Sequence, residues 1–160
     1  MAMPCSSSTT DQIPMDHTVY LSLGSNLGNR SEQLDRACQL LDILVGPVVK
    51  RSAYHESEPW GFVSENPFLN AVVCCHTRLT PRQLLLTTQR IERQLGRREK
   101  SKDGNYHDRL IDIDILLYDH ITIEEPDLKI PHPLMRQRPF VMEPLYEILE
   151  VPEAINSDKN

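Results

Sequence analysis

No apolar run in this sequence approaches the roughly 20 residues that a bilayer-spanning helix needs. The first sixteen residues, MAMPCSSSTTDQIPMD, lack both a basic n-region and an apolar h-region, so they do not read as a secretory signal. Their Ser, Thr and Pro content predicts a floppy extension over 1–16. Positive charge is in deficit: 17 Lys and Arg against 23 Asp and Glu give a net charge of -6 over 160 residues. That balance argues against nonspecific binding to nucleic acid or to an anionic membrane. Any phosphate chemistry must then use a local cluster of cations. The four cysteines, Cys5, Cys38, Cys74 and Cys75, form no CxxC pair, which predicts reduced thiols and a cytoplasmic protein rather than a disulfide framework or zinc site. His107 and His132 have neither HxxxH nor HExxH spacing, so they too fail to suggest zinc. Internal repeats are absent.

What is present suits one domain over 17–152 with a short tail at 153–160. Thr18 to Leu23 alternates in the manner of a strand and runs into the turn cluster Gly24-Ser25-Asn26-Leu27-Gly28-Asn29. From about Ser31, Leu34, Ala37, Cys38, Leu41 and Leu44 recur at helical spacing until Gly46-Pro47. A second strand is expected over Val48 to Ser57. Two prolines and a glycine make 58–67 a loop, and Phe68 to Leu79 a third strand. Thr80-Pro81-Arg82-Gln83 is a helix start with a Thr cap, a proline and a Gln for the capping box. Leu84, Leu85, Thr88, Ile91, Glu92 and Leu95 then line one face as far as Gly96. A charged loop spans Arg97 to Arg109, and Leu110 to Tyr118 is the most apolar strand. A short hairpin, the kink Pro131-His132-Pro133 and a helix near Phe140 to Leu149 complete the chain. The order βαββαβ predicts an α+β fold of ferredoxin-like type: an antiparallel sheet with its two main helices on one face. The added C-terminal helix is expected to cover the other.

The sharpest chemical signal is Leu110-Ile111-Asp112-Ile113-Asp114-Ile115. In a strand the two aspartates share one face and the isoleucines the other. Neighbouring carboxylates repel, and a divalent cation between them relieves the repulsion; hard oxygen donors suit magnesium. The plainer alternative is a solvent-facing strip on a half-exposed strand. Arg97, Arg98, Lys100, Lys102 and Arg109 just before the strand, with His132, Arg136 and Arg138 beyond it, supply what phosphoryl transfer requires around such a metal. A solvated charge run is the competing reading for that loop. SLGSNLGN follows a strand and precedes a helix, yet fits neither GxxxxGK[ST] nor GxGxxG, and is read as a tight turn. Aromatics are scarce at 6% but cluster at loops and edges, as Trp60, Phe62, Phe68 and Phe140. A flat heterocycle would fit between such faces, with Asn70 reading its edge, unless Phe68 and Phe140 are simply core.

Six segments together, LGSNLGNR, ESEPWGF, NPFLNAVV, TQRIERQLGR, HDRLIDIDILLYD and IPHPLMRQRPFVMEPL, closely resemble the 6-hydroxymethyl-7,8-dihydropterin pyrophosphokinase family of folate biosynthesis. They fall in the family's order over about Thr18 to Pro152. The resemblance implies a three-layer α/β/α ferredoxin-like fold, and transfer of the ATP pyrophosphoryl group to the pterin's hydroxymethyl oxygen with release of AMP. It implies two magnesium ions held by Asp112 and Asp114, with Arg97 and Arg109 stabilising the transition state. It places the pterin between Phe68 and Phe140, read by Asn70 and by Ser57 to Trp60. Gln89, Glu92, Lys100, Tyr106, Arg109, Ile115, His132 and Arg138 match ATP contacts. Tyr106 stands where the family often has Trp. Glu99 stands where a second loop arginine is common, leaving Lys100 as the nearest basic substitute.

Three other classes compete: a metal-dependent phosphohydrolase using the same aspartates, a ferredoxin-like regulatory module, and an RNA-binding module of similar topology. The last would want exposed sheet aromatics and a basic face. A monomer of one catalytic domain, using small-molecule substrates alone, is expected.

Overall fold

A computed structural model describes residues 16–58, 66–96 and 110–149. The expected 1–16 extension and 153–160 tail therefore lie almost wholly outside the described residues. Strand β1 (His17–Ser25) leads through a turn into helix α1 (Arg30–Leu44). Asn29 caps that helix, its side chain accepting from the Glu32 N–H at 3.1 Å. The predicted stripe Leu34, Ala37, Cys38 and Leu41 is buried. A Cβ on Gly46 would sit 1.9 Å from the His76 carbonyl oxygen, so only glycine lets the chain leave α1 against the neighbouring strand.

The strand expected over 48–57 is two strands, β2 (Val48–Arg51) and β3 (His55–Ser57). Both pair with β4 (Phe68–Thr77), but Arg51 faces Val73 whereas His55 faces Asn70. Residues 52, 53 and 54 thus oppose only 71 and 72, one residue more than the ladder can pair. The polar groups of the break are still satisfied. The Ser52 hydroxyl accepts from the Val72 N–H at 2.9 Å, and the Ala53 N–H donates to Glu147 at 2.8 Å. Helix α2 (Pro81–Gln94) begins with the predicted capping box, Thr80 and Gln83 each bonded to the other's backbone. Strand β5 (Asp112–Tyr118) follows. The hairpin β6 (Ile123–Glu125) and β7 (Leu128–Ile130) is gripped by Arg82 of α2, which pairs with Glu125 and with Asp127. A 3-10 turn (Met135–Gln137) precedes helix α3 (Pro139–Ile148).

The main sheet runs β2-β4-β1-β5, every pair antiparallel, with β3 also on β4. Adjacent placement of β1 between β4 and β5 is the ferredoxin-like order, and the predicted α+β class is the observed one. Period-two alternation splits the core in two. Val19, Leu21, Leu23, Ala71, Val73, Cys75, Ile113 and Ile115 face α1 and α2. Tyr20, Val72, Cys74 and Leu116 face Val141, Leu145 and Ile148 of α3. The fully buried leucines and isoleucines contribute about 1.5–3 kcal/mol each. Three layers result.

Cys74 and Cys75 point to opposite faces, as adjacent strand residues must. Burial pushes the Cys75 thiol up to about 12 and raises those of Cys38 and Cys74. At pH 8 only ~1 in 10,000 Cys75 thiols would be ionised, and the thiolate is the reactive form. These three thiols should resist an aromatic disulfide reagent in the native protein and react at once in denaturant. Rapid native labelling of any of them, located by peptide mass, would contradict this burial.

Candidate active site

The face of the sheet under α3 carries the predicted site residues Asn70, Asp112 and Asp114. Register places Asn70, Gly24 and Asp112 side by side across β4, β1 and β5, and Val72, Ser22 and Asp114 in the next row but one. With strands about 4.8 Å apart, Asn70 and Asp112 stand about 10 Å from each other on one face. Gly24, between them, has no side chain to rise into the space. A Cβ there would touch Asn70 Oδ1 at 3.4 Å and Phe68 Cδ1 at 3.5 Å. The glycine is a floor, an amide and an aromatic ring stand on one side, and two carboxylates stand on the other.

At the amide end, Asn70 is 5% exposed and donates from Nδ2 to the His55 carbonyl at 3.1 Å and to Ser57 Oγ at 2.8 Å. Because a carbonyl can only accept, these bonds fix which amide atom is nitrogen and turn Oδ1 toward the floor. Phe68 opens β4, paired with Ser57. Phe140 lies in the first turn of α3, with the Arg138 guanidinium 5.8 Å from its ring centroid. The far end of that helix is tied down by Glu147, which accepts from the Ala53 N–H and pairs with His55 Nε2. The Ala53 bond, followed by the His55 pairing, holds the Glu147 carboxyl below its ordinary range.

At the carboxylate end, Asp112 and Asp114 are half-buried on the α3 face while Ile111, Ile113 and Ile115 are in the core behind them. β5 is an edge strand, and its outward Ile113 N–H is met by Glu92 Oε2 at 2.7 Å from α2. Glu92 is 2% exposed, so this bond is made where water cannot substitute for it. By the same alternation Ile115 turns its main chain outward and buries its side chain. Gln89 lies one turn before Glu92 and is half-buried. The His132 N–H donates to the Leu116 carbonyl at 3.1 Å, fixing the residue against the second half of β5. Its Nδ1 accepts from the Leu134 N–H at 3.2 Å, so the neutral ring carries its proton on Nε2. Arg138 is buried at the α3 N-cap. Among the described residues no group of three or more His, Cys, Asp or Glu could hold a metal. The pair of carboxylates is nevertheless a fitting donor set for magnesium, which takes one or two protein carboxylates and completes its octahedron with water and phosphate oxygens.

Five predicted site residues, Trp60, Arg97, Lys100, Tyr106 and Arg109, lie outside the described residues. Register sets Asn70 and Asp112 on either side of the Gly24 floor, with Asp114 further along β5 and Phe68 and Ser57 beside Asn70, while Phe140, His132 and Arg138 stand on the elements that follow β5. Sequence reading did not find Gly24, whose role depends on a register that no local pattern encodes. Nor did it find Glu147 or His55, which are paired across ninety-two residues. The strand-to-helix turn expected over 24–29 is shorter than predicted: Gly24 and Ser25 belong to β1, and the turn is 26–29, its Asn29 spent on capping. No helix among the described residues is long and apolar enough to cross a membrane.

Residues 20–150 match the family described as 7,8-dihydro-6-hydroxymethylpterin-pyrophosphokinase (HPPK). The chain is 52% identical over 131 residues to a 2-amino-4-hydroxy-6-hydroxymethyldihydropteridine pyrophosphokinase of Porphyromonas gingivalis, covering 81% of this chain and 89% of that protein. It is 43% identical over 131 residues to the protein of the same name in Aquifex aeolicus, covering 82% and 79%. For the Bacillus subtilis protein the identity is 40% over 137 residues, covering 85% and 80%. Among solved structures, an HPPK-DHPS in complex with substrates superposes with a TM-score of 0.66 at 15% identity, over 84% of this chain and 40% of that one. A Plasmodium falciparum HPPK-DHPS triple mutant gives 0.67, also at 15% identity and over 84% and 40%. This chain thus spans about two fifths of those solved chains, and the likeness to them is one of fold. The sheet order and the matched relatives define a diphosphotransferase on a ferredoxin-like scaffold. The chain belongs to the HPPK family.

Glu147 gives a pH test of how α3 is held. Its folded pKa is lowered, so its stabilising contribution is full above the unfolded value near 4.3 and disappears as pH falls through the folded value. The side chain is 36% exposed, and solvent screening limits the effect to about 0.5 kcal/mol. Glu147→Gln should be less stable than the parent by that amount at pH 7 and equal to it by about pH 3. Urea unfolding at both pH values measures this, and a difference that grows on acidification would reverse the assignment.

Proposed function

We propose that this enzyme transfers the β,γ-pyrophosphoryl group of ATP to the hydroxymethyl oxygen of 6-hydroxymethyl-7,8-dihydropterin, releasing AMP, in folate biosynthesis. The observation carrying this reading is that Asn70 with Phe68, and Asp112 with Asp114, occupy opposite sides of one bare glycine on a single sheet face. A pterin on the amide side would direct its hydroxymethyl arm toward a triphosphate on the carboxylate side.

Asn70 Oδ1 accepts from the pterin's amino or ring N–H while Phe68 and Phe140 hold its two faces, with Ser57 to Trp60 completing the edge. Two magnesium ions bound by Asp112 and Asp114 would neutralise and orient the polyphosphate. His132, through Nε2–H, and Arg138 donate to nucleotide oxygens, with Gln89, Glu92, Lys100, Tyr106 and the outward main chain of Ile115 completing the ATP site. Arg97 and Arg109 bear on the charge spread over the group in flight. The new bond joins the substrate alcohol to the β-phosphorus, the bond from that phosphorus to the α-phosphate oxygen breaks, and the alcohol proton passes to solvent. Such a step needs in-line positioning and charge neutralisation more than a strong base.

Incubation with ATP, magnesium and the hydroxymethyl-dihydropterin should yield AMP in equal amount to pterin pyrophosphate. AMP formed equally without pterin would favour a phosphohydrolase. Asp114→Ala should lower turnover by more than about 100-fold with pterin affinity changed less than about threefold. Turnover near the parent's would remove the metal role from Asp114. Gly24→Leu should show the opposite split, folding normally by circular dichroism but losing pterin affinity by about tenfold or more, because its side chain fills the recess beside Asn70. Unaltered pterin titration of that variant would place the pterin elsewhere.

A further inference from the structure

The turn between β1 and α1 leads to a role for a residue outside the substrate contacts. Arg30, at the first position of α1, donates from Nη1 to the Pro67 carbonyl at 2.9 Å and from Nη2 to Glu56 Oε2 at 2.7 Å. Asn26, 3% exposed in the same turn, donates from Nδ2 to the Asn66 carbonyl at 3.0 Å. Two consecutive carbonyls immediately ahead of β4 are therefore held from one turn, and one guanidinium also holds β3. The ladder so gripped is short. β3 has three residues, and its pairs with β4 are His55 to Asn70, Glu56 to Leu69 and Ser57 to Phe68. A three-residue edge strand following a bulge has little pairing of its own to fix its position.

Each held group adjoins a residue of the amide end of the site: Glu56 precedes Ser57, and Pro67 precedes Phe68. We infer that Arg30 is a positioning residue for the pterin side of the site, setting the separation of Ser57 and Phe68 and so the aim of Asn70 between them. This inference rests on the function proposed above. The fork geometry of arginine matters, because it serves two acceptors in different directions, whereas a lysine ammonium on a flexible stem holds neither in a fixed plane. Stability is not its main contribution. The pair with Glu56 is open to solvent, the two side chains being 29% and 57% exposed, and such pairs add little to folding. The effect belongs to the geometry of one substrate's site, with the carboxylate end on β5 left as it is.

The test is steady-state kinetics with each substrate varied in turn, together with thermal melting, on the full chain and on Arg30→Ala, Arg30→Lys and Glu56→Gln. Arg30→Ala should raise KM for the pterin by about 5- to 20-fold and shift KM for ATP by less than about twofold. Arg30→Lys should recover part of that loss, and Glu56→Gln, which weakens one arm only, should lose less than Arg30→Ala. A pterin KM equal to the parent's in Arg30→Ala, or equal losses for both substrates, would overturn the inference. If Arg30→Ala does not fold, Glu56→Gln decides alone, and a pterin KM equal to the parent's overturns it. Absence of pterin-dependent AMP formation in the unmodified chain would defeat the functional reading itself. Normal activity there with unshifted variants would defeat only the role of Arg30.

Discussion

A strand that must bury Ile111, Ile113 and Ile115 against α1 and α2 has no freedom over where Asp112 and Asp114 point. The hydrophobic gain of three isoleucines, several kcal/mol together, far exceeds the cost of holding two half-buried carboxylates side by side. Core packing on one face therefore dictates chemistry on the other. A one-residue slip of β5 would exchange the two sets and lose both at once, so the register against β1 is strongly specified. The irregularity in that pairing comes after the aspartates, between Ile115 and Leu117, where it places Leu116 and Leu117 together under α3. Glu92 fixes the outer edge of the same strand through Ile113.

The amide end is built differently. No continuous hydrophobic seam defines it; it sits where β2 and β3 part around an extra residue and where α3 crosses β3 and β4. Its order comes from polar bonds between elements distant in sequence: Asn70 to His55 and Ser57, Glu147 to Ala53 and His55, Arg30 to Glu56 and Pro67. A hydrophobic strand at one side and a hydrogen-bonded break at the other give one rigid support and one that polar contacts adjust. That division suits the proposed reaction, in which a polyphosphate would be fixed at one end and a flat heterocycle read at the other.

The competing classes fare unequally against this face. An RNA-binding sheet would present aromatics across its strands. Here the same face carries two aspartates on β5 and is covered by α3. A regulatory module gives no reason for carboxylates across a bare glycine from a buried, donor-saturated amide. Cys38, Cys74 and Cys75 lie in the two cores rather than at this site, their thiols raised by burial.

Much of the architecture was legible locally. Alternation gave the strands, three- and four-residue spacing gave α1 and α2, and Thr80-Pro81-Gln83 gave a cap that the structure reproduces. The paired aspartates were visible as a shared face before any coordinates, because the period of a strand is a property of the backbone alone. The expected single strand over 48–57 failed for a reason no local rule contains: the Ala53 N–H is claimed by a carboxylate ninety-four residues away. Tertiary structure alone decided that Gly24 separates Asn70 from Asp112, that Glu147 anchors the helix bearing Phe140, and that Arg30 links β3 to the residue just ahead of β4. Local sequence determines which way a side chain faces along its own element, since that is set by dihedral periodicity. Which residues meet across elements is set by register and packing, and these exist only once the chain has closed on itself.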